Sequence, residues 1–386
     1  INVVTGAMTL LEQNERFLDF VVDDDYRLRL ASYMMPDGGL ELLIPDDEGG
    51  WGTWDTIPVE DVLTTEIVGL DKTGSIVLMK DSRGRNTSAV EACKLEDKQT
   101  TLLAENSLAD AGDIVRHPTK KHVQAVSFVY ERKLWQIIDR SVEPDMAYLQ
   151  TVADGDLEIV SRTLDDRFWV VLYLVDDGPS RFYLYDRKRQ AASFLFTNRK
   201  DLEGQPLVKM HSAVIESRDG LDLLIYYSLP LDSDTQGDGI PDRPIPMVLF
   251  PHGGPWARDF WGYNPWHQWL ANRGYAVMFV NFRSSTGLGK AFTNAGDLEW
   301  GGKVIEDQVD AVQWAIAKGI ADPQRVAVMG GSFGGYSTLA GVTLFPERFA
   351  CGVDLVGPSS LITFLESLPP YWQPMLELFA TCLLYT

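Results

Sequence analysis

The sequence predicts a chain of two parts: an incomplete β-propeller over residues 1–204, then an incomplete doubly wound parallel α/β domain over 205–386. Three observations lead there. Length comes first, because 386 residues exceed what one compact core holds. A turn-like dipeptide then recurs at Asp37-Gly38, Arg83-Gly84, Glu131-Arg132 and Asp177-Gly178, spaced 46 to 48 residues apart. Finally, the hydrophobic pattern changes after His211 from short aromatic and β-branched runs to strands alternating with amphipathic helices.

In the first part, Phe17–Val22, Arg27–Met34, Ser75–Met79, Ala125–Tyr130, Leu134–Ile138, Phe168–Leu174 and Arg181–Tyr185 read as strands. A strand enters each recurring turn and another leaves it. Several strands repeated every 40–50 residues or so is the pattern of propeller blades. A plain β-sandwich is the alternative. About four units are present, fewer than a closed ring commonly uses. The chain also opens Ile1-Asn2-Val3-Val4, with no initiator Met and no signal-peptide pattern. A longer parent whose beginning is missing is therefore expected, which leaves a removed secretion signal open.

In the second part, Met247–Phe250, Ala276–Val280, Val326–Met329 and Cys351–Val356 read as buried strands. Trp266–Arg273 and Tyr336–Leu344 read as helices, the first closed by Gly274. Ile305, Val309, Val312 and Ile316 share one face of another helix, which ends at Gly319. Alternation of this kind specifies a doubly wound sheet.

Composition narrows the partners. The formal net charge is −21, with apolar residues at 45% and charged residues at 23%. A phosphate-binding surface needs a basic patch, so nucleic acid and anionic membrane are both disfavoured. No apolar run approaches the roughly 18 residues that span a bilayer. Cys93, Cys351 and Cys382 lie far apart with no metal or disulfide spacing, so reduced thiols in a cytosol-like compartment are expected. No cofactor is expected, and oligomeric state is not set by the sequence.

Gly330-Gly331-Ser332-Phe333-Gly334 is a Gly-x-Ser-x-Gly motif between a predicted strand and a predicted helix. That is the setting of a nucleophile elbow, in which a sharp turn lifts the serine hydroxyl above the sheet. Gly330 and Gly334 are required there because side chains two residues either side would collide. His252-Gly253-Gly254-Pro255 follows an earlier strand of the same sheet. Two backbone N–H groups aimed at a tetrahedral oxyanion are each worth on the order of 10²–10³ in rate. The expected donors are the N–H of Phe333 and the N–H of Gly254. His252 is expected to be structural, since in this fold the base follows the serine in the chain.

Three segments together resemble the prolyl oligopeptidase family of α/β-hydrolases, in its acylaminoacyl peptidase and bacterial dipeptidyl aminopeptidase-like branch. They are Pro251–Trp256 (PHGGPW), Asn281–Phe292 (NFRSSTGLGKAF) and Met329–Tyr336 (MGGSFGGY), within a match from about Ile245 to Pro374. The resemblance implies a propeller ahead of the hydrolase and a serine-type peptidase acting on short peptides, with Ser332 as nucleophile. Family members often have Tyr where Phe333 stands and Gly where Ser284 stands. A larger departure is that His117, His122, His211, His252 and His267 all precede Ser332. The family places its triad Asp and His after the serine, and Glu347, Asp354, Glu366 and Glu377 match no expected Asp. A serine without a base is a weak nucleophile, so this chain by itself is expected to be inactive and to lack its final strands. The apolar Leu376-Phe379-Leu383-Leu384 end is expected to favour aggregation. An esterase of the same fold and a non-catalytic binding module are the alternatives.

Residues 232–242 carry Asp232, Asp234 and Asp238 at calcium-loop spacing, but Arg243 stands where a bidentate Glu is needed. An acidic solvent-exposed loop is the favoured reading. The aromatic stretch Trp256–Trp269 is either core or a substrate wall, with core favoured.

Overall fold

In the computed structural model, residues 1–14 and 16–369 are described. Strands from Asp19 to Thr197 form four antiparallel sheets in chain order, three of four strands and one of three. All four recurring turns fall at one topological position, between the second and third strands of their sheets. Asp37-Gly38 joins Leu28–Met34 to Leu40–Pro45, and Asp177-Gly178 joins Phe168–Leu174 to Arg181–Asp186. The repeat therefore marks one β-hairpin per sheet. Of the strands flanking these hairpins, the predicted Phe17–Val22 matches Asp19–Val22, but others, such as Glu66–Leu70, Ala111–Arg116 and Asp156–Arg162, were missed. Each of these carries charged residues among its apolar ones, exposed in Glu66 and Asp113 and half-buried in Glu158, which hides the apolar alternation. A helix, Glu143–Leu149, was also unforeseen. Its Met146 and Leu149 pack with Trp169, Tyr173 and Tyr185.

Charged groups tie the last of these sheets together internally. Arg187 donates to Asp145 at 2.7 Å and pairs with Asp166. Asp166, itself buried, accepts from Arg162 Nε at 2.7 Å and from the Trp169 indole at 2.8 Å. The Tyr185 hydroxyl donates to Asp145 at 2.8 Å. Each buried carboxylate thus meets a cation or an O–H, as burial demands.

The second part is a six-stranded sheet with strand order Met210–Glu216, Asp222–Ser228, Ala276–Asn281, Ile245–Leu249, Ala321–Gly331, Cys351–Leu355. Expected as wholly parallel, it is mixed. The first two strands form a hairpin closed at Ser217–Gly220, where Gly220 takes φ +87° and donates to Ser217 O. The second of them also runs antiparallel to Ala276–Asn281, and the remaining pairs are parallel. Gly220 permits the left-handed turn, so no helical crossover is needed. Helix Lys303–Ala317 buries Ile305, Val309 and Val312 as its spacing predicted, with Val309 and Val312 in the core cluster of this sheet and Ile316 half-buried against it. Gly274 and Gly319 end their helices at φ +87° and +77°. Cys93 is buried and Cys351 exposed, both as free thiols. Among the described residues no helix is long and apolar enough to cross a membrane.

Candidate active site

Strand Ala321–Gly331 runs into Ser332, and helix Phe333–Leu344 leaves it. That helix begins earlier than the predicted Tyr336, directly after the serine. Ser332 adopts φ 56°, ψ −121°, a left-handed conformation costly for a residue with a Cβ. The turn is held from both ends: Ser332 N–H donates to Leu355 O at 2.9 Å, and Ser332 O accepts from Tyr336 N–H at 3.0 Å. Its side chain is exposed.

Why glycine flanks the serine is geometric. A Cβ on Gly330 would lie 2.3 Å from Gly334 O, and one on Gly334 would lie 2.2 Å from Pro251 O. The second contact adds something the motif alone does not convey: three backbone segments meet at Gly334. Gly335 and Gly357 make a further close pair unmarked in the sequence reading, with a Cβ on Gly357 falling 2.4 Å from Gly335 C.

Phe333 opens its helix, so its N–H has no intrahelical partner. The His252–Pro255 loop passes along the nucleophile, and a Cβ on Gly253 would lie 3.5 Å from Ser332 Cβ and 4.0 Å from Oγ. Gly254 follows at φ +121°, where a side chain would strike Trp256 N at 2.7 Å. The close approach to the serine thus falls at Gly253, and the special backbone conformation at Gly254.

His252 is fully occupied. Its Nδ1 lies 2.7 Å from Gly253 O and its Nε2 2.9 Å from Ser285 Oγ, with the ring stacked on Phe282 at 4.3 Å. Burial pushes its pKa down to about 4, keeping it neutral near pH 7. It fastens the loop to residue 285, a partner that no sequence signal identified. His267 is buried too, with Nδ1 2.9 Å from Ser228 Oγ and a pKa lowered by burial to about 3. His211 stacks on Tyr227, while His117 and His122 lie together in the antiparallel region beside Asp139. Among the described residues no histidine hydrogen-bonds Ser332. Of the acids after the serine, Asp354 caps its own turn through Gly357 N–H at 2.7 Å, and Glu347 sits 3.6 Å from Arg348. Glu377 and the Leu376–Leu384 apolar end lie outside the described residues.

The Asn281-Phe282-Arg283 segment supports the site rather than reacting. Asn281 Oδ1 accepts from Asp259 N–H at 2.7 Å, and its Nδ2 donates to Asp259 O at 3.2 Å. Arg283 is clamped between buried Asp307 at 2.7 Å and Asp219 at 2.8 Å. Ser284, the departure from glycine, sits at φ 85° with a buried hydroxyl that has no hydrogen-bond partner.

In the 232–242 loop, Asp234 accepts from the N–H groups of Gly237 and Gly239 at 2.7 and 2.8 Å, and Asp238 accepts from Ile240 N–H at 3.0 Å. These carboxylates brace a tight turn. Among the described residues no group of three or more His, Cys, Asp or Glu is gathered to hold a metal, Asp232 included. The aromatic stretch divides between roles. Trp256 packs edge-on to Trp300, whereas Phe260 and Trp261 line a cavity of about 410 Å³ shared with Glu131, Lys133, Asp156 and Glu158.

A serine on a strand–turn–helix elbow, flanked by a glycine-rich loop from a neighbouring parallel strand, defines the serine hydrolase class on an α/β sheet. Residues 261–375 match the prolyl oligopeptidase family, which this part of the chain resembles. Dipeptidyl aminopeptidase BIII of Pseudoxanthomonas mexicana is 46% identical over 381 residues, covering 98% of this chain and 55% of that protein. Dipeptidyl peptidase family member 6 of Caenorhabditis elegans is 38% identical, covering 96% of this chain and 53% of that protein. A puromycin-hydrolyzing peptidase of Mycobacterium tuberculosis shares the fold, with TM-score 0.68 and 19% identity over 90% of this chain and 53% of that one. The chain spans about half the length of the curated relatives it matches.

Proposed function

We propose that this chain carries the nucleophile and oxyanion elements of a serine peptidase that acts on short peptides through an acyl-enzyme. The observation that carries the reading is Ser332: a left-handed elbow residue, exposed, with the Gly253–Gly254 loop alongside. In this reading Ser332 Oγ attacks the scissile carbonyl, while Phe333 N–H and Gly254 N–H receive the oxyanion. The two curated relatives are named for dipeptidyl peptidase action, which favours substrates cleaved near their amino-terminus. The four antiparallel sheets are read as propeller blades over residues 1–204, limiting access to a hydrolase part over 205–386.

The chain as it stands is proposed to be inactive. Every histidine precedes Ser332; His252 is buried with both ring nitrogens engaged, and His267 is buried with its Nδ1 on Ser228 Oγ. Removing the base of a serine protease costs roughly 10⁶ in turnover. A fluorophosphonate probe should therefore label Ser332 no faster than a free serine; rapid labelling overturns the proposed inactivity. A protein that also supplies an Asp and a His beyond residue 386 should label rapidly and cleave peptides in preference to esters. Ester preference would favour the esterase reading, and peptide binding without cleavage the binding module.

A further inference from the structure

Loops around the second antiparallel sheet grip the stretch that follows the Asn-Phe-Arg segment by its backbone. Asp110 N–H donates to Gly287 O at 3.1 Å, and Asp110 Oδ2 accepts from Gly289 N–H at 3.0 Å. Asn86 O accepts from Lys290 N–H at 2.9 Å, and Asn86 Oδ1 accepts from Ala291 N–H at 2.9 Å. Lys290 Nζ reaches buried Asp61 at 2.6 Å, and Asn294 Nδ2 donates to Glu60 O at 2.8 Å. A Cβ on Gly289 would lie 2.7 Å from Asn86 Nδ2, so glycine is what lets the two parts approach this closely.

The opposite side of the same stretch holds the oxyanion loop. Thr286 N–H donates to Ala257 O at 3.0 Å, and Ser285 Oγ meets His252 Nε2 at 2.9 Å. Arg258 donates to Val129 O at 2.9 Å and to Tyr130 O at 3.0 Å, giving the loop a second attachment to the antiparallel region. From Asp110 to the loop beside Ser332 the path is short: Asp110 to Gly287 and Gly289, then Thr286 to Ala257 and Ser285 to His252. Each step is a hydrogen bond or a directly adjacent residue.

We propose that Asp110 and Asn86 are positioning residues for the oxyanion loop: they act through residues 285–291 and touch neither substrate nor nucleophile. The inference rests on the peptidase reading for its catalytic meaning, but the mechanical coupling stands on the contacts alone. Both side chains are used as acceptors of backbone N–H groups in this grip. Loss of one acceptor should therefore loosen the stretch locally, and the loop with it.

Hydrogen exchange followed by mass spectrometry on this chain tests the coupling without any need for catalysis. The reporters are the Ala257 and Asp259 amides, which donate to Pro255 O and Asn281 Oδ1. Asn86→Ala should speed exchange in peptides covering 253–260 about fivefold, the loss of one hydrogen bond's net contribution, and Asp110→Ala, which removes both carboxylate acceptors, at least as much. Asn86→Asp keeps the acceptor oxygen and should restore the original rate. Peptides from core strand Ala276–Asn281 should stay unchanged, showing that the variant is folded. Faster exchange confined to 287–291 would overturn the proposal, as would an Asn86→Asp variant that behaves like Asn86→Ala. If Asp110→Ala unfolds the chain, the Asn86 pair decides. Failure of the peptidase reading would show instead in the probe-labelling experiment, so the two are separable.

Discussion

The last antiparallel sheet and the serine elbow solve opposite packing problems. Around Trp169 and Tyr185, large side chains and buried charges fill the space, with Arg187 bridging Asp145 and Asp166. Around Ser332 space is made by leaving side chains out, since Gly330, Gly334, Gly335 and Gly357 bring backbone onto backbone. The first region depends on what is present and the second on what is missing.

The sharpest way to break this comparison is to subtract from one region and add to the other. Asp166→Ala strands Arg162 and Arg187 without their shared carboxylate and should cost about 3–5 kcal/mol. Gly334→Ala adds one methyl 2.2 Å from Pro251 O and should cost about 3 kcal/mol. Urea unfolding followed by circular dichroism reads both. An innocuous Gly334→Ala would refute the close-approach account.

Acid separates the regions next. His252 and His267, both in the mixed-sheet part, have native pKa values lowered by burial to about 4 and about 3. Between the unfolded value near 6.5 and those native values, the unfolded chain binds more protons than the native chain, so stability falls as pH falls. By about pH 5 the loss should approach ~2 kcal/mol per histidine. His267→Gln should lower the slope of stability against pH between 6.5 and 5 by about one proton's contribution, and an unchanged slope would contradict the burial argument.

The smallest expected effect is a gain. Ser284→Gly removes a Cβ from φ 85° and a buried hydroxyl without a partner, and should stabilise the protein by about 1 kcal/mol. Differential scanning calorimetry would show a raised Tm; a lowered one would mean that the hydroxyl is useful.

The same contrast explains what the sequence made legible. The elbow could be read because glycine at fixed offsets from a serine has few other physical reasons, and helix Lys303–Ala317 because its apolar face repeats at helical period. The hairpins could be read from their spacing. Several of their flanking strands could not, because Glu66, Asp113 and Glu158 interrupt the apolar alternation in order to meet Lys80 and Lys133 across the sheets. The antiparallel start of the mixed sheet was hidden because a turn at Gly220 resembles any other polar loop. The hold of Ser285 on His252 had no signal, since a serine two residues after an arginine is unremarkable in isolation.

Gly334 has a consequence beyond this chain's chemistry. Its lack of a side chain is demanded by Pro251 O, whether or not a proton ever leaves Ser332. Purifying selection for foldability alone would keep that glycine in a lineage whose reactivity had lapsed. Motif scans that reward Gly-x-Ser-x-Gly therefore count intact architecture, and active and silent descendants would score alike.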